Sequence, residues 1–208
     1  KKVYKYNSGS DTFGSALDTL PAVATDALEA RMGGTLYLII AHTGGYTYTA
    51  NGTSFTDDTT DAKFLTFWDD KLWGIDNTGQ MWYASSIGTE VNDAKLPLPD
   101  GHVTDLFVAR NASGDPVIYA MTKEGLYAHD FSNNKFVETQ LALPFHNENG
   151  KGSTRWRDSV YIPAGLGIYK YINGSNSAVV TIVGPDRDDG LPSDYRGSIT
   201  KLMGTHND

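Results

Sequence analysis

The sequence contains no cysteine, has no long apolar run and carries few basic residues. The missing cysteines exclude disulfide frameworks, cysteine-based zinc sites and thiol nucleophiles. No apolar run approaches the roughly 18 to 20 residues that a membrane-spanning helix needs, so we predict no membrane span. The 17 lysines and arginines are scattered, and the formal net charge is −8. Because binding to nucleic acid needs a concentrated basic face, we predict that nucleic acid is not a partner.

Catalytic signatures are also missing. The five histidines show no His-Glu-x-x-His spacing, and the sequence has no Gly-x-Ser-x-Gly elbow and no phosphate-cradling glycine loop. We therefore predict no catalytic residue and no organic cofactor. A glycosidase carboxylate pair depends on distance in space rather than on spacing in sequence, so an enzyme stays open as an alternative.

Aromatic residues and glycine are plentiful, with 12 tyrosines, eight phenylalanines, four tryptophans and 22 glycines. This composition favours a β protein with many turns. The stretch KLWGIDNTGQMWYAS at 71–85 predicts a β-hairpin, with strands at Leu72–Ile75 and Met81–Ala84 and a polar turn at Asp76–Gly79.

The same hairpin recurs along the chain. Its first strand opens with an aliphatic and then an aromatic residue, at Leu36-Tyr37, Leu72-Trp73, Ile118-Tyr119 and Val160-Tyr161. Its second strand opens at Tyr46-Thr47, Met81-Trp82, Leu126-Tyr127 and Ile168-Tyr169. A glycine stands at or just before each second strand, at Gly45, Gly79, Gly125 and Gly167. We predict that these glycines form the turns, where positive φ costs glycine little.

A recurring unit of about 40 residues with four short strands resembles the blade of a β-propeller repeat protein. The resemblance covers nearly the whole chain and implies an all-β fold of four-stranded antiparallel blades. A β-sandwich is the nearest alternative, but a sandwich has no reason to repeat its hairpin. Four junctions share a Leu-Pro step, which suits a crossing between strands. The predicted single domain, or fragment of one, divides approximately into 1–21, 22–61, 62–99, 100–144, 145–192 and 193–208.

No single propeller family is indicated. The double glycines Gly33-Gly34 and Gly44-Gly45 resemble the kelch pair but do not recur in every repeat. The turn at Asn51-Gly52 resembles the Asp-box of sialidase-like propellers, although that box has a residue between the two positions.

The first segment of the chain matches a later one. The run VYKY at 3–6 is similar to IYKY at 168–171, so we interpret the beginning of the chain as the last two strands of a blade. A further strand is predicted at Ser198–Met203. Because open sheet edges invite pairing with other chains, we predict an incomplete ring. The remaining blades would come from a longer chain, or a partner chain would close the ring.

Two groups of residues are candidates for binding. Trp68 and Trp156 lie beside charged residues and could stack on a ligand, with Arg155 and Arg157 next to Trp156. The aromatic residues that repeat in register are better explained by packing between blades. Asp186, Asp188 and Asp189 offer oxygen ligands for Ca²⁺, although an exposed acidic turn explains them better.

These observations predict a non-catalytic recognition or structural module with a glycan or protein ligand. The polar, turn-rich and cysteine-free composition favours an extracellular, cell-surface or virion protein. One alternative is a carbohydrate-active enzyme of the glycosidase or sialidase type. A second alternative is an intracellular propeller that binds other proteins.

Overall fold

A computed structural model describes residues 1–111, 113–156, 159–165, 167–172, 179–183 and 202. Every regular element in these residues is a β-strand, which confirms the predicted all-β class. They contain no helix that is both long and apolar enough to cross a membrane. The chain forms two compact units, Lys1–Asp93 and Ala94–Asp208.

The first unit contains a two-stranded sheet and two four-stranded sheets, and in each sheet the strands follow one another in chain order. The last strand, β10, runs across the division between the units. The two-stranded sheet consists of β1 (Lys2–Asn7) and β2 (Thr12–Thr19). The four-stranded sheets consist of β3 (Ala24–Met32), β4 (Thr35–His42), β5 (Gly45–Thr49) and β6 (Thr56–Asp58), and of β7 (Phe64–Trp68), β8 (Lys71–Ile75), β9 (Gln80–Ala84) and β10 (Val91–Lys95).

The second unit contains two more four-stranded sheets with the same order. Such four-stranded antiparallel meanders are the blades of a β-propeller, so the predicted fold class is confirmed. The first sheet consists of β11 (Val103–Arg110), β12 (Pro116–Thr122), β13 (Gly125–Asp130) and β14 (Lys135–Ala142). The second consists of β15 (Thr154–Trp156), β16 (Ser159–Ala164), β17 (Gly167–Ile172) and β18 (Val179–Val183).

The hairpin predicted at 71–85 is confirmed as β8 and β9. Its turn is closed by the Asp76 carboxylate, which accepts hydrogen bonds from the backbone N–H groups of Thr78 at 2.8 Å and Gln80 at 2.9 Å. A short aspartate side chain that bonds to the backbone just after it stabilises a turn in this way. Gly79 has a φ of 80°, so the predicted turn role of this glycine is correct.

Gly125 serves a different purpose from the one predicted. It is the first residue of β13, and a Cβ atom there would lie 2.9 Å from the backbone oxygen of Leu141 in β14. Gly45 begins β5 in the same way, and its Cβ would lie 2.0 Å from the backbone oxygen of Asp58. At these positions glycine is required because the neighbouring strand approaches closely, so the turn explanation is wrong for Gly125.

The core of the first unit is built around Trp82. This side chain is 2% exposed and stacks on Tyr46, with ring centroids 5.8 Å apart. Its indole N–H donates to the backbone oxygen of Asp61 at 2.9 Å. Gly74 lies opposite Trp82 in β8, and a Cβ on Gly74 would lie 2.2 Å from the indole ring. The glycine inside the strand therefore makes room for the largest buried side chain. Trp73 and Tyr119 are buried as well, as the packing interpretation predicted.

An aspartate links the first strand of a sheet to the next sheet in both units. Asp26 follows a register shift in β3 and accepts the backbone N–H of Leu65 in β7 at 2.8 Å. Asp105 follows a register shift in β11 and accepts the backbone N–H of Ser153 at 3.0 Å, just before β15. Because a bulge re-aims a side chain, each carboxylate reaches the neighbouring sheet. Hydrogen bonds to a charged acceptor are among the stronger ones in proteins.

Tyr46 provides a second link within the first unit. Its hydroxyl donates to the Glu90 carboxylate, which precedes β10. Burial, reinforced by this hydrogen bond, raises the pKa of Tyr46 above its ordinary value of 10.0. The folded chain therefore retains a proton that the unfolded chain releases once the pH exceeds about 10.

We predict that the substitution Tyr46→Phe changes stability in two ways. At neutral pH it lowers the free energy of unfolding by about 1 to 3 kcal/mol, because a buried hydrogen bond to a charged group is lost. Above pH 10 the stability of the unsubstituted chain falls by up to about 1.4 kcal/mol per pH unit through Tyr46, and this fall becomes shallower in the variant. Urea denaturation from pH 7 to pH 11 measures both effects.

Tyr48→Phe, in the same strand, is the matched control and keeps the alkaline fall. Equal alkaline slopes for Tyr46→Phe and the unsubstituted chain would contradict the role assigned to Tyr46.

Candidate ligand-binding cleft

Three connections meet at one end of the strands in the second unit. They are the β12–β13 turn, the segment 143–153 between β14 and β15, and the β16–β17 turn. Because neighbouring antiparallel strands run in opposite directions, these three connections all lie at the same end of the strands. The last two of these connections border a cleft of about 330 Å³, which is lined by Pro144, Phe145, His146, Asn149, Ala164, Gly165, Gly167 and Tyr169.

Phe145 is the exposed aromatic residue of this cleft, with 56% of its surface accessible. The ring is not isolated. The His102 imidazole lies 5.6 Å from it, centroid to centroid, and the Lys123 ammonium lies 5.8 Å from its centroid. His102 Nδ1 is also 3.4 Å from a carboxylate oxygen of Glu124. Polar side chains therefore lie beside part of the Phe145 ring, and the rest of the ring is exposed to solvent.

The backbone around Phe145 is held by the side chain of Asn149, which is 1% exposed. The Asn149 amide donates to the backbone oxygens of Lys123 and Pro144, both at 2.8 Å. The Lys123 oxygen also accepts the backbone N–H of His146 at 2.9 Å. Of the two residues that flank Phe145, His146 is thus bonded directly to the β12–β13 turn, and Pro144 is linked to it through the Asn149 amide. A single buried amide orders this part of the connection.

The rest of the segment is attached to both sheets. The backbone N–H of Gly150 donates to the Pro163 oxygen in β16 at 2.7 Å, and Ser153 donates to Asp105 in β11. Gly150 has a φ of 73°, and a Cβ there would lie 1.9 Å from Cγ of Met121. Only glycine fits this close contact. The connection that carries Phe145 is therefore fixed to the fold at several points.

The rim of the cleft can donate hydrogen bonds. His146 Nδ1 accepts the backbone N–H of Glu148 at 3.2 Å, so in the neutral ring the proton lies on Nε2. The Lys123 ammonium is a second donor close to Phe145. An apolar ring beside a few well-placed polar groups is the usual arrangement of a small-molecule binding site.

Trp68, one of the residues predicted to bind a ligand, is half-buried at the end of β7. Its ring lies 6.4 Å from that of Trp73, and the indole N–H of Trp73 donates to the Trp68 backbone oxygen at 3.1 Å. Trp73 in turn lies 5.1 Å from Tyr83. Trp68 therefore belongs to an aromatic cluster in the first unit, and its role in ligand binding stays a prediction.

Trp156 lies half-buried at the end of β15, and Arg155 beside it is exposed. Both belong to the second unit, whereas Trp68 belongs to the first. Their role in binding also stays a prediction. Arg157 lies outside the described residues. The predicted calcium ligands also lie outside them, namely Asp186, Asp188 and Asp189. Within the described residues, no group of three or more histidines and carboxylates could hold a metal ion.

Phe145 is not among the residues predicted from the sequence, although the sequence carries a signal for it. The Leu-Pro steps at the predicted junctions are followed by Ala22, Asp100, Phe145 and Ser193. Only one of these four positions carries an aromatic residue. The departure from the repeat marks a side chain that blade packing does not require.

No protein-family model matches the sequence, and no curated protein matches it significantly. Solved structures match in fold. The extracellular domain of a Bacteroides thetaiotaomicron protein assigned to the hybrid two component systems is 17% identical, with a TM-score of 0.56, over 76% of this chain and 22% of that chain. An auxiliary nutrient binding protein of the same species is 10% identical, with a TM-score of 0.57, over 92% of this chain and 54% of that chain.

An enzyme is among the similar structures. Virginiamycin B lyase from Staphylococcus aureus is 10% identical, with a TM-score of 0.58, over 83% of this chain and 59% of that chain. At these identities the likeness shows the fold alone. The chain spans between 22% and 59% of the length of these three structures.

We predict that Asn149→Ala destabilises the protein by about 1 to 3 kcal/mol, because the buried Asn149 amide no longer donates hydrogen bonds to the backbone oxygens of Lys123 and Pro144. The matched control is Asn147→Ala, two residues earlier and exposed, which we expect to change stability by less than about 0.5 kcal/mol. Chemical denaturation of both variants measures the difference. Equal stability of the two variants would show that the Asn149 amide does not hold the segment.

Proposed function

We propose that the chain is an extracellular recognition module that binds a glycan at the Phe145 cleft. The observation that carries the proposal is the exposed Phe145 ring, which lies beside donors from Lys123 and His146 on a backbone that the buried Asn149 amide holds. A large apolar side chain that stays exposed while its backbone is fixed suits a role in binding.

The chemistry of the cleft favours a sugar over a purely apolar ligand. A sugar ring presents a face of C–H groups that packs on an aromatic ring, and its hydroxyl oxygens accept hydrogen bonds. Phe145 supplies the aromatic face, and the Lys123 ammonium and the His146 ring supply donors. Tyr169 adds a second aromatic side chain to the lining. The fixed backbone supports affinity, because little conformational freedom is lost on binding.

The structural neighbours support an extracellular location. One of them is described as an extracellular domain and another as a nutrient binding protein. Neither description concerns a virion, so the virion location receives no support from them. Folds of this kind host both binding and catalysis, and the likeness to a lyase leaves catalysis to be tested directly.

We predict that Phe145→Ala weakens glycan binding at least tenfold. The purified chain is first screened against an array of neutral and acidic oligosaccharides, and the best ligand is then titrated calorimetrically against the variants. The expected loss follows from removal of the stacking surface, since aromatic side chains dominate the binding energy of such sites. Phe131→Ala is the matched control, because Phe131 is 39% exposed and lies in the same unit away from the cleft lining.

Two results would contradict the proposal. The first is the absence of binding to every glycan on the array by a chain shown to be folded. The second is equal weakening by Phe145→Ala and Phe131→Ala. Analysis of the bound oligosaccharide after prolonged incubation separates binding from catalysis, because recovery of the intact sugar is expected from a recognition module and shortened products from an enzyme.

A further inference from the structure

The basic groups around the cleft differ in their partners. The Lys151 ammonium donates to both carboxylate oxygens of Glu148, at 2.8 and 2.9 Å. His102 Nδ1 lies 3.4 Å from a carboxylate oxygen of Glu124. In contrast, no carboxylate of the described residues lies within ion-pairing distance of the Lys123 ammonium. In this part of the chain, Lys123 therefore carries a positive charge that no carboxylate neutralises at short range.

Lys123 is fixed at its backbone and can move at its ammonium. Its backbone N–H donates to the His102 oxygen at 3.0 Å, and its backbone oxygen accepts the Asn149 amide at 2.8 Å. The residue is half-buried, and its ammonium lies 5.8 Å from the centroid of Phe145. Because the ammonium ends a flexible four-carbon stem, it can turn from the ring towards a charged group that is bound beside the ring.

The donors around the cleft suit an ionised acidic group. The formal net charge of the chain is −8, so an anionic ligand needs a positive group at the site itself. A lysine ammonium offers three hydrogen-bond donors and no acceptor, whereas an ionised carboxylate offers acceptors only. The same holds for a sulfate ester. The Nε2–H of His146 on the rim of the cleft is a further donor.

We propose that the Phe145 cleft selects sugars that carry an anionic group, and that Lys123 binds this group. This inference rests on the proposed glycan-binding function. The sugar ring would pack on Phe145, and a carboxylate or sulfate at the edge of the sugar would accept hydrogen bonds from the Lys123 ammonium. Hydrogen bonds between ionised groups are stronger than neutral ones, so a charged sugar gains an interaction that its neutral counterpart lacks.

The test compares oligosaccharides that differ only in their charged groups. On the glycan array, each oligosaccharide that contains a uronic acid stands beside its carboxyl-reduced form, and each sulfated one stands beside its desulfated form. The pair that binds best is then titrated calorimetrically. We expect the charged member to bind at least about fivefold more tightly at about 0.1 M sodium chloride, which is the gain of a partly exposed ion pair. At about 1 M the advantage should shrink, because salt screens exposed charges. Carboxyl-reduced and desulfated partners show which of the two acidic groups is recognised.

Three variants assign the preference to Lys123. Lys123→Gln should abolish the difference in affinity between the two members of the pair, whereas Lys123→Arg keeps the charge and should keep the preference. The matched control is Lys135→Gln, which changes the net charge equally. Lys135 is exposed at the beginning of β14, at the opposite end of the strand from the cleft, and its substitution should leave the preference unchanged.

The possible results separate this inference from the proposed function. Equal affinity for the charged and neutral members overturns the selection of anionic sugars and leaves glycan binding intact. A preference that survives Lys123→Gln, or that Lys135→Gln abolishes as well, overturns the role of Lys123. The absence of binding to every glycan by the folded chain overturns the proposed function and this inference together.

Discussion

A four-stranded sheet of this chain cannot bury its apolar side chains alone, so each sheet depends on contact with another. The carboxylates of Asp26 and Asp105 fix that contact within each unit, because each one follows a register shift in a first strand and accepts a backbone N–H from the following sheet. The packed aromatic side chains then supply the buried area, as Trp82 does beside Tyr46. Repeat proteins combine weak individual units in this way.

The hydrogen bond to Asp105 also helps to position the proposed binding site. Asp105 holds Ser153 at one end of the segment 143–153, and the Asn149 amide holds the part around Phe145. The segment that carries the exposed ring is thus attached to the two sheets of the second unit through the buried Asn149 amide and the half-buried Asp105 carboxylate.

The sequence predicted the fold well, because blade packing repeats. The aliphatic-aromatic pairs and the Asp76–Gly79 turn follow local rules, and the structure contains the strands of the predicted hairpins. The strand predicted at Ser198–Met203 lies outside the described residues, apart from Leu202. The role of Gly125 was misjudged, because its constraint comes from the Leu141 oxygen of the neighbouring strand, which local patterns do not show. Asp105 was missed for a similar reason, since its partner Ser153 is 48 residues away. Phe145 could have been recognised only as a departure from the repeat.

Native-state amide hydrogen exchange of the unsubstituted chain shows whether the segment that carries Phe145 is fixed before any ligand binds. We expect the amides of Leu143, His146, Gly150 and Ser153 to be protected like strand amides, because each donates to a defined acceptor in the second unit. Rapid exchange at all four positions, with the strands of the same unit protected, would contradict it and would identify the segment as a loop that orders only on binding.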